Sequence, residues 1–281
     1  MIVYIIIAII QGVLEWLPIS SSGQVMIVAT NLFGIPPENA YSLSIWLHLG
    51  TTLAVLVRFR GDFIKVTKTV FQKDSVSDDL NIKNRNWIFF ATIGTAITAL
   101  PLYFIFKIVF LDIFTAFQGD IITLLISGLL IITGVILLKT RKSYGNQVIE
   151  NVSKNKIRKD SILSGLVQGT SILPGISRSG VTVSAILLEK YEQDSALRLS
   201  FLISVPVAIA SIVVDIIFGE GSVFGILEPL TIIITTLISF LFGYLTIELL
   251  LRVAKKINFG YFCVLYGVIA YLIIIPFILI P

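Results

Sequence analysis

The chain has 281 residues, 56% of them hydrophobic and 14% charged, with a mean hydropathy of +0.96 and a net charge of +4. A soluble domain carries roughly 45–50% apolar residues, so this composition excludes one and points to an integral helical membrane protein. Continuous apolar runs exclude an outer-membrane barrel, whose strands alternate apolar and polar residues over about ten positions.

The chain opens on MIVYIIIAII, which lacks the basic n-region and small-residue cleavage pattern of a signal peptide and is read as structure. Residues 1–35 are apolar at both ends around a polar, Pro- and Gly-containing middle, so they do not read as a simple span. Six stretches do, at about 40–57, 87–108, 120–138, 196–217, 229–250 and 259–280, each long enough for a hydrocarbon core of about 30 Å. The connection 58–86 carries Arg58, Arg60, Lys65, Lys68, Lys73, Lys83 and Arg85. The one at 139–159 carries Lys139, Arg141, Lys142, Lys154, Lys156, Arg158 and Lys159, and 252–256 carries Arg252, Lys255 and Lys256. These three belong in the cytoplasm, where positive charge accumulates. The connections 109–119 and 218–228 hold Asp112, Glu220 and Glu228 without Lys or Arg and face outward, with Lys107 snorkelling at a helix end. Asp215 and Glu248 fall near span ends and are read as interfacial, and the 142–160 loop as a solvated cytoplasmic face that also meets anionic lipid. The basic residues thus mark loops and give no reason to expect nucleic acid. Cys263, single and within an apolar run, excludes an intramolecular disulfide and a thiol metal site.

A second atypical segment, 161–190, repeats the first. QGVLEWLPISSSG at 11–23 and QGTSILPGISRSG at 168–180 align without a gap at a constant offset of 157 residues and agree at Gln, Gly, Ile, Ser, Ser and Gly. Irregular backbone at membrane depth survives only where protein or a water-filled cavity surrounds it, so each segment is read as a re-entrant helical hairpin. One hairpin and three spans then form each half. Because three is odd, the second half inserts upside down, and inverted repeats place their broken segments together near the midplane. The expected architecture is an all-α integral membrane protein of six transmembrane helices and two oppositely inserted re-entrant hairpins. It forms a single membrane domain, 1–281, with repeats at about 1–140 and 158–281.

The hairpin tips carry the chemistry. Gln11 and Glu15, four apart, project from one helix face toward Ser20, Ser21 and Ser22. The second tip offers Ser177, Arg178, Ser179 and Thr182, with a helix starting near Gly180. An acid and a base inside the membrane are a functional hypothesis by default; a guanidinium fork, hydroxyls and a helix N-terminus make an anion site, most plausibly for phosphate. Glu15 either holds a divalent cation, Mg²⁺ or Ca²⁺, with Gln11 and phosphate oxygens, or deprotonates a nucleophile. Ser21 is the favoured nucleophile, with a metal-activated water the alternative. His48, the single histidine, lies about eight residues into its span and therefore about 12 Å deep, where it either packs or takes part in catalysis. A Glu–Arg pair and membrane serines also serve as structural glue between helices, which is the plain alternative.

These residues resemble the undecaprenyl-diphosphatase family, also known as the bacitracin-resistance proteins. QGVLEWLPISSSG looks like its (E/Q)xxxE-plus-serine motif, PGISRSGVT its PGxSRSxxT motif, and HLGTTLAVLVRFR and SFLISVPVAIA its intervening helix signatures. The resemblance implies six spans, two opposed hairpins, a homodimer, a multi-pass protein of the cell membrane with an outward-facing site, and removal of the terminal phosphate from a polyprenyl diphosphate to recycle the lipid carrier. It implies catalytic roles for Glu15, Ser21 and Arg178. Many members have His after the serine-glycine loop, where this chain has Gln24; Glu15 is then the expected base, Gln24 a neutral donor to substrate or water, and His48 a support that orients. The rivals are a transporter or flippase of polyprenyl phosphate, prompted by the inverted repeat, and a phosphatidic acid phosphatase of the two-histidine kind, which a chain with one histidine does not satisfy.

Overall fold

A computed structural model describes residues 1–71, 79–107, 119–140, 145–219, 223–256 and 259–279. Lys73, Asp112, Arg141, Lys142 and Glu220, used in the charge reading, lie outside these.

The first half runs α1 (Ile2–Leu14), α2 (Ser21–Ile27), a π-helical turn at Val28–Leu32, α3 (Pro37–Arg58), α4 (Arg60–Phe71), α5 (Asp79–Phe106) and α6 (Gly119–Thr140). The second runs α7 (Lys154–Gly169), a 3₁₀ turn at Thr170–Ile172, α8 (Arg178–Leu188), α9 (Gln193–Phe218), α10 (Val223–Ile226), α11 (Pro229–Lys256) and α12 (Phe259–Leu279). No β-strand occurs among the described residues, and α3, α5, α6, α9 and α11 are each long and apolar enough to cross a membrane. With α12, 21 residues long, they form the frame of a multi-pass membrane protein.

Both atypical segments are helix–loop–helix hairpins. Their legs are short: α1 has 13 residues and α8 has 11, about 20 and 16 Å at 1.5 Å per residue, less than the roughly 30 Å hydrocarbon core. Each loop ends in the same device. Ser20 and Ser177 cap α2 and α8, their hydroxyl oxygens accepting the backbone N–H of Gly23 at 3.4 Å and Gly180 at 3.2 Å, which satisfies donors that a helix start leaves open. Pro36 and Pro37 start α3 where a missing N–H costs nothing.

The helix pairing exchanges partners between the halves. α1 packs on α11 while α7 packs on α5; α3 meets α11 while α9 meets α5; and α3–α9 and α6–α12 cross between halves. Glycines allow the closest approaches. A Cβ on Gly165 would sit 2.1 Å from the Ala91 carbonyl oxygen, and one on Gly94 2.4 Å from that of Ile162, so α5 and α7 meet backbone to backbone.

The tips meet. Gly175 donates its N–H to Ser20 Oγ at 2.9 Å, and at Gly175 φ is +104°, a conformation that favours glycine. On α6, Thr133 Oγ1 donates to the Gly175 carbonyl at 3.2 Å and accepts from Ser177 N at 3.3 Å. On α12, Cys263 Sγ donates to the Pro18 carbonyl at 3.3 Å.

Three features differ from expectation. Residues 60–71 form a helix rather than a plain loop, because Val66 is buried and Phe63 packs with a core cluster on one face while Lys65 and Lys68 face out. α5 and α9 begin earlier than their apolar runs, at Asp79 and Gln193, since polar turns outside hydrocarbon continue a helix at no desolvation cost. Asp215, near the end of its span, is not exposed there: it is buried in the protein and accepts from Ser42 Oγ and Tyr103 Oη, both at 3.2 Å. Glu248, by contrast, is exposed beside Arg58 and Arg252.

Candidate active site

α1 stops at Leu14, and Glu15 points back into the space before α2. Its carboxylate gathers four groups from three parts of the fold. Ser21 Oγ, at the start of α2, donates to Glu15 Oε2 at 2.6 Å, and Gln11 Nε2, one turn back on α1, donates to the same oxygen at 2.8 Å. Arg178, the first residue of α8 on the opposite tip, donates from Nη2 to Oε1. His48 on α3 brings Nε2 within 3.3 Å of Oε2. The Glu15 side chain is 5% exposed and that of Arg178 18%, so the pair is shielded but reachable from one side.

The orientation of His48 follows from its second nitrogen. Nδ1 lies 2.6 Å from the Ser44 carbonyl oxygen, one turn back on α3. A carbonyl only accepts, so Nδ1 carries the hydrogen and Nε2 faces the carboxylate.

A cavity of about 200 Å³ opens beside this cluster, with Ser22, His48, Arg178 and Gln168 among its lining residues. Of the sequence candidates, the structure brings together Glu15, Ser21, Arg178, His48 and Gln11, with Ser22 at the cavity wall. Ser179 stands next to Arg178 and exchanges a 3.3 Å hydrogen bond with Ser177. The remaining expected phosphate ligands have other work. Ser20 and Ser177 are the buried caps. Thr182, fully buried, donates to Gln168 Oε1 at 3.4 Å, and Gln24 Nε2 donates to the Ile19 carbonyl at 3.5 Å, closing its own loop. None of these four lines the cavity, because a hairpin tip buried in protein must first satisfy its own backbone.

Sequence reasoning passed over Ser44, which fixes His48, and Gln168. The signal for Gln168 was present, since the repeat aligns it with Gln11. Tyr41 and Tyr103, at the far end of the cavity, carried no sequence mark of their own.

Gln11 Oε1 is buried with no hydrogen-bond partner, while Nε2 of the same amide holds Glu15. An open amide oxygen beside a carboxylate fits the all-oxygen shell of a hard divalent cation, with the other positions left to water and substrate oxygens.

A family model described as bacitracin resistance protein BacA matches residues 4–272. Proteins called undecaprenyl-diphosphatase are similar along nearly their whole length. The one from Methanothrix thermoacetophila is 39% identical over 265 residues, 94% of this chain and 93% of the relative. The one from Methanococcoides burtonii is 38% identical over 275 residues, covering 95% and 96%. The one from Haloarcula marismortui is 34% identical over 266 residues, covering 94% of each. With the match running from the first hairpin into the last helix, this chain belongs to the bacitracin resistance protein BacA family.

Proposed function

We propose that this protein is a membrane phosphatase that hydrolyses undecaprenyl diphosphate to the monophosphate and inorganic phosphate, recycling the lipid carrier. The observation that carries this reading is the convergence of Ser21, Glu15 and Arg178 from two hairpins, with the Ser21 hydroxyl 2.6 Å from the carboxylate. The names of the relatives place a diphosphatase on the same frame, which disfavours a flippase.

Ser21 Oγ attacks the terminal phosphorus as Glu15 takes its proton. The bond from that phosphorus to the bridging oxygen breaks, and undecaprenyl monophosphate departs with the bridging oxygen. Glu15 passes that proton to the departing monophosphate; it then takes a proton from water, whose oxygen attacks the phosphorus, and returns it to Ser21 Oγ as inorganic phosphate leaves. Arg178 neutralises the equatorial oxygens, where a phosphoryl transition state spreads its charge. Ser22 at the cavity wall donates to the same phosphate, and Ser179 and the open N–H groups of α8 complete the anion site. His48, held by Ser44, orients Glu15. Glu15 and Gln11 would hold a Mg²⁺ or Ca²⁺ ion, which would supply charge neutralisation to the diphosphate.

Around this site the two hairpins enter from opposite faces and six helices cross the plasma membrane, with the basic connections in the cytoplasm and the site open outward, where glycan transfer releases the diphosphate. The protein functions as a homodimer. The test is phosphate release from undecaprenyl diphosphate by purified protein in detergent, with EDTA and with added Mg²⁺ or Ca²⁺. Detergent removes the second compartment that a transporter needs, so turnover supports the hydrolase and its absence refutes it. Full turnover in EDTA refutes the metal.

A further inference from the structure

The repeat places one glutamine at the same point of each hairpin, Gln11 on α1 and Gln168 on α7, and the fold holds the two amides by opposite ends. Gln11 is anchored through its nitrogen: Nε2 donates to Glu15 Oε2 at 2.8 Å, and Oε1 is buried with no partner. Gln168 is anchored through its oxygen: Thr182 Oγ1 donates to Oε1 at 3.4 Å, and Nε2 is the buried atom with no partner. Two differences between the repeats produce this reversal. At the offset of 157 residues, Glu15 gives way to Ile172, whose side chain accepts nothing, and Val25 gives way to Thr182, which donates.

A buried donor without an acceptor is costly, and folded proteins seldom leave one. Gln168 is 1% exposed and lines the cavity together with Ser22 and Arg178. Among the described lining residues none is Asp or Glu, so no carboxylate on that wall competes for the donor or repels an anion. Arg178 stands one turn before Thr182 on α8, which brings its charge to the same stretch of wall. The cavity thus collects a guanidinium, a serine hydroxyl and an amide N–H that the protein itself does not use. Oxyanions are what such donors recognise.

We infer that Gln168 Nε2 donates to a non-bridging oxygen of the bound diphosphate, with Thr182 as the positioning residue that orients the amide. This inference rests on the diphosphatase reading above. It makes the two repeat-related amides complementary, Gln11 offering an oxygen to a cation and Gln168 a nitrogen to the anion. An amide exchanges no proton near neutral pH, so Gln168 contributes to holding the phosphate and not to moving the proton.

The test is made in detergent with undecaprenyl diphosphate as substrate and methylenediphosphonate, a diphosphate analogue that is not hydrolysed, as competitor. Gln168→Leu removes the donor at similar volume. A hydrogen bond to a charged group is worth about ten- to a hundredfold, so kcat/KM is expected to fall, and Ki for the analogue to rise, by about that factor. Gln168→Glu keeps the shape but sets a carboxylate against the phosphate, and is expected to raise Ki further than Gln168→Leu. Thr182→Val releases the amide without removing it and is expected to raise Ki by less. A Gln168 that only supports the fold changes the yield of folded protein and leaves Ki alone, so an unchanged Ki in both Gln168 variants overturns the inference. Should the variants fail to fold, a crystal structure of the unsubstituted protein with methylenediphosphonate decides. Gln168 Nε2 at hydrogen-bond distance from a phosphate oxygen supports the inference, and Nε2 bonded to water or protein alone overturns it. If the unsubstituted protein does not hydrolyse undecaprenyl diphosphate, the diphosphatase reading has failed and the inference with it, an outcome distinct from an active enzyme with an unchanged Ki.

Discussion

Glu15→Gln strikes the centre of the proposed chemistry with almost no change of shape. The carboxylate accepts from Ser21 Oγ at 2.6 Å, Gln11 Nε2 at 2.8 Å and Arg178, and faces His48 Nε2 at 3.3 Å. An amide has one acceptor oxygen, so some of these donors lose their partner, and it takes no proton from Ser21. Losing a general base costs about 10²–10⁴ in turnover, and a fall in kcat of about a thousandfold is expected. The substitution also strips Arg178 of its counter-charge. Breaking a buried ion pair from one side costs about 3–5 kcal/mol, and with Arg178 still 18% exposed the lower end applies. The two effects separate experimentally: phosphate release measured well below the melting temperature reports the chemistry, and thermal melting reports the pair. Ser21→Ala supplies the cross-check, because residues acting as a unit are non-additive and the double variant should be no slower than the slower single one. A kcat for Glu15→Gln within about tenfold of the unsubstituted enzyme refutes the role of base, whatever the melting curve shows.

Arg178→Lys is expected to lower kcat/KM about a hundredfold in the same assay without loss of folded protein, since a point charge does not replace a fork that can serve both phosphate and Glu15; near-full activity makes Arg178 structural. His48→Gln is expected to lower kcat at most about tenfold, below the range of a lost general base, and a loss of about a thousandfold moves the base to His48. Gly165→Val drives a side chain into the Ala91 carbonyl and is expected to destabilise by about 1–3 kcal/mol or more, the cost of overpacking, read by thermal melting; an unchanged melting temperature contradicts the α5–α7 contact. Cysteine placed at Glu150 is expected to react with an impermeant maleimide only from the cytoplasm, and at Leu32, which is 74% exposed, only from outside. Cys263 is buried and stays silent; labelling of both sites from the same side refutes the opposed hairpins, and reversed labelling refutes the orientation read from charge.

The hairpins were legible because their physics is local. A run of Ile and Val that stops on Pro18 and three serines has no stable place in lipid unless it turns, and the repeat showed where the second turn lies. The Glu15–Arg178 meeting was legible for the same reason, as two charges buried on paired segments have few other ways to be neutralised. What stayed hidden depends on orientation and spacing. Five serines in two tips look alike in sequence, yet Ser20 and Ser177 cap helices while Ser21, Ser22 and Ser179 are left to the site, a division set by which hydroxyl the turning backbone captures. The depth of His48 could be counted along α3, but the rotation that aims Nε2 at Glu15 comes from Ser44, one turn away. Asp215 near a span end read as interfacial because the two hydroxyls that receive it, Ser42 and Tyr103, arrive from other helices.

The repeat also explains why the site is single although the tips are two. At the offset of 157, Gln11 matches Gln168, but Glu15 matches Ile172, and Arg178 matches Ser21. The proposed base and nucleophile therefore lie on one tip and the proposed phosphate fork on the other, with no half holding all three. The backbone devices remain shared: both tips keep the serine cap, and each is gripped by the last helix of one half, through Thr133 on α6 or Cys263 on α12. Symmetry is thus retained where it holds two broken helices against each other, and lost where charge must be unequal for phosphate to be bound on one side and a proton accepted on the other.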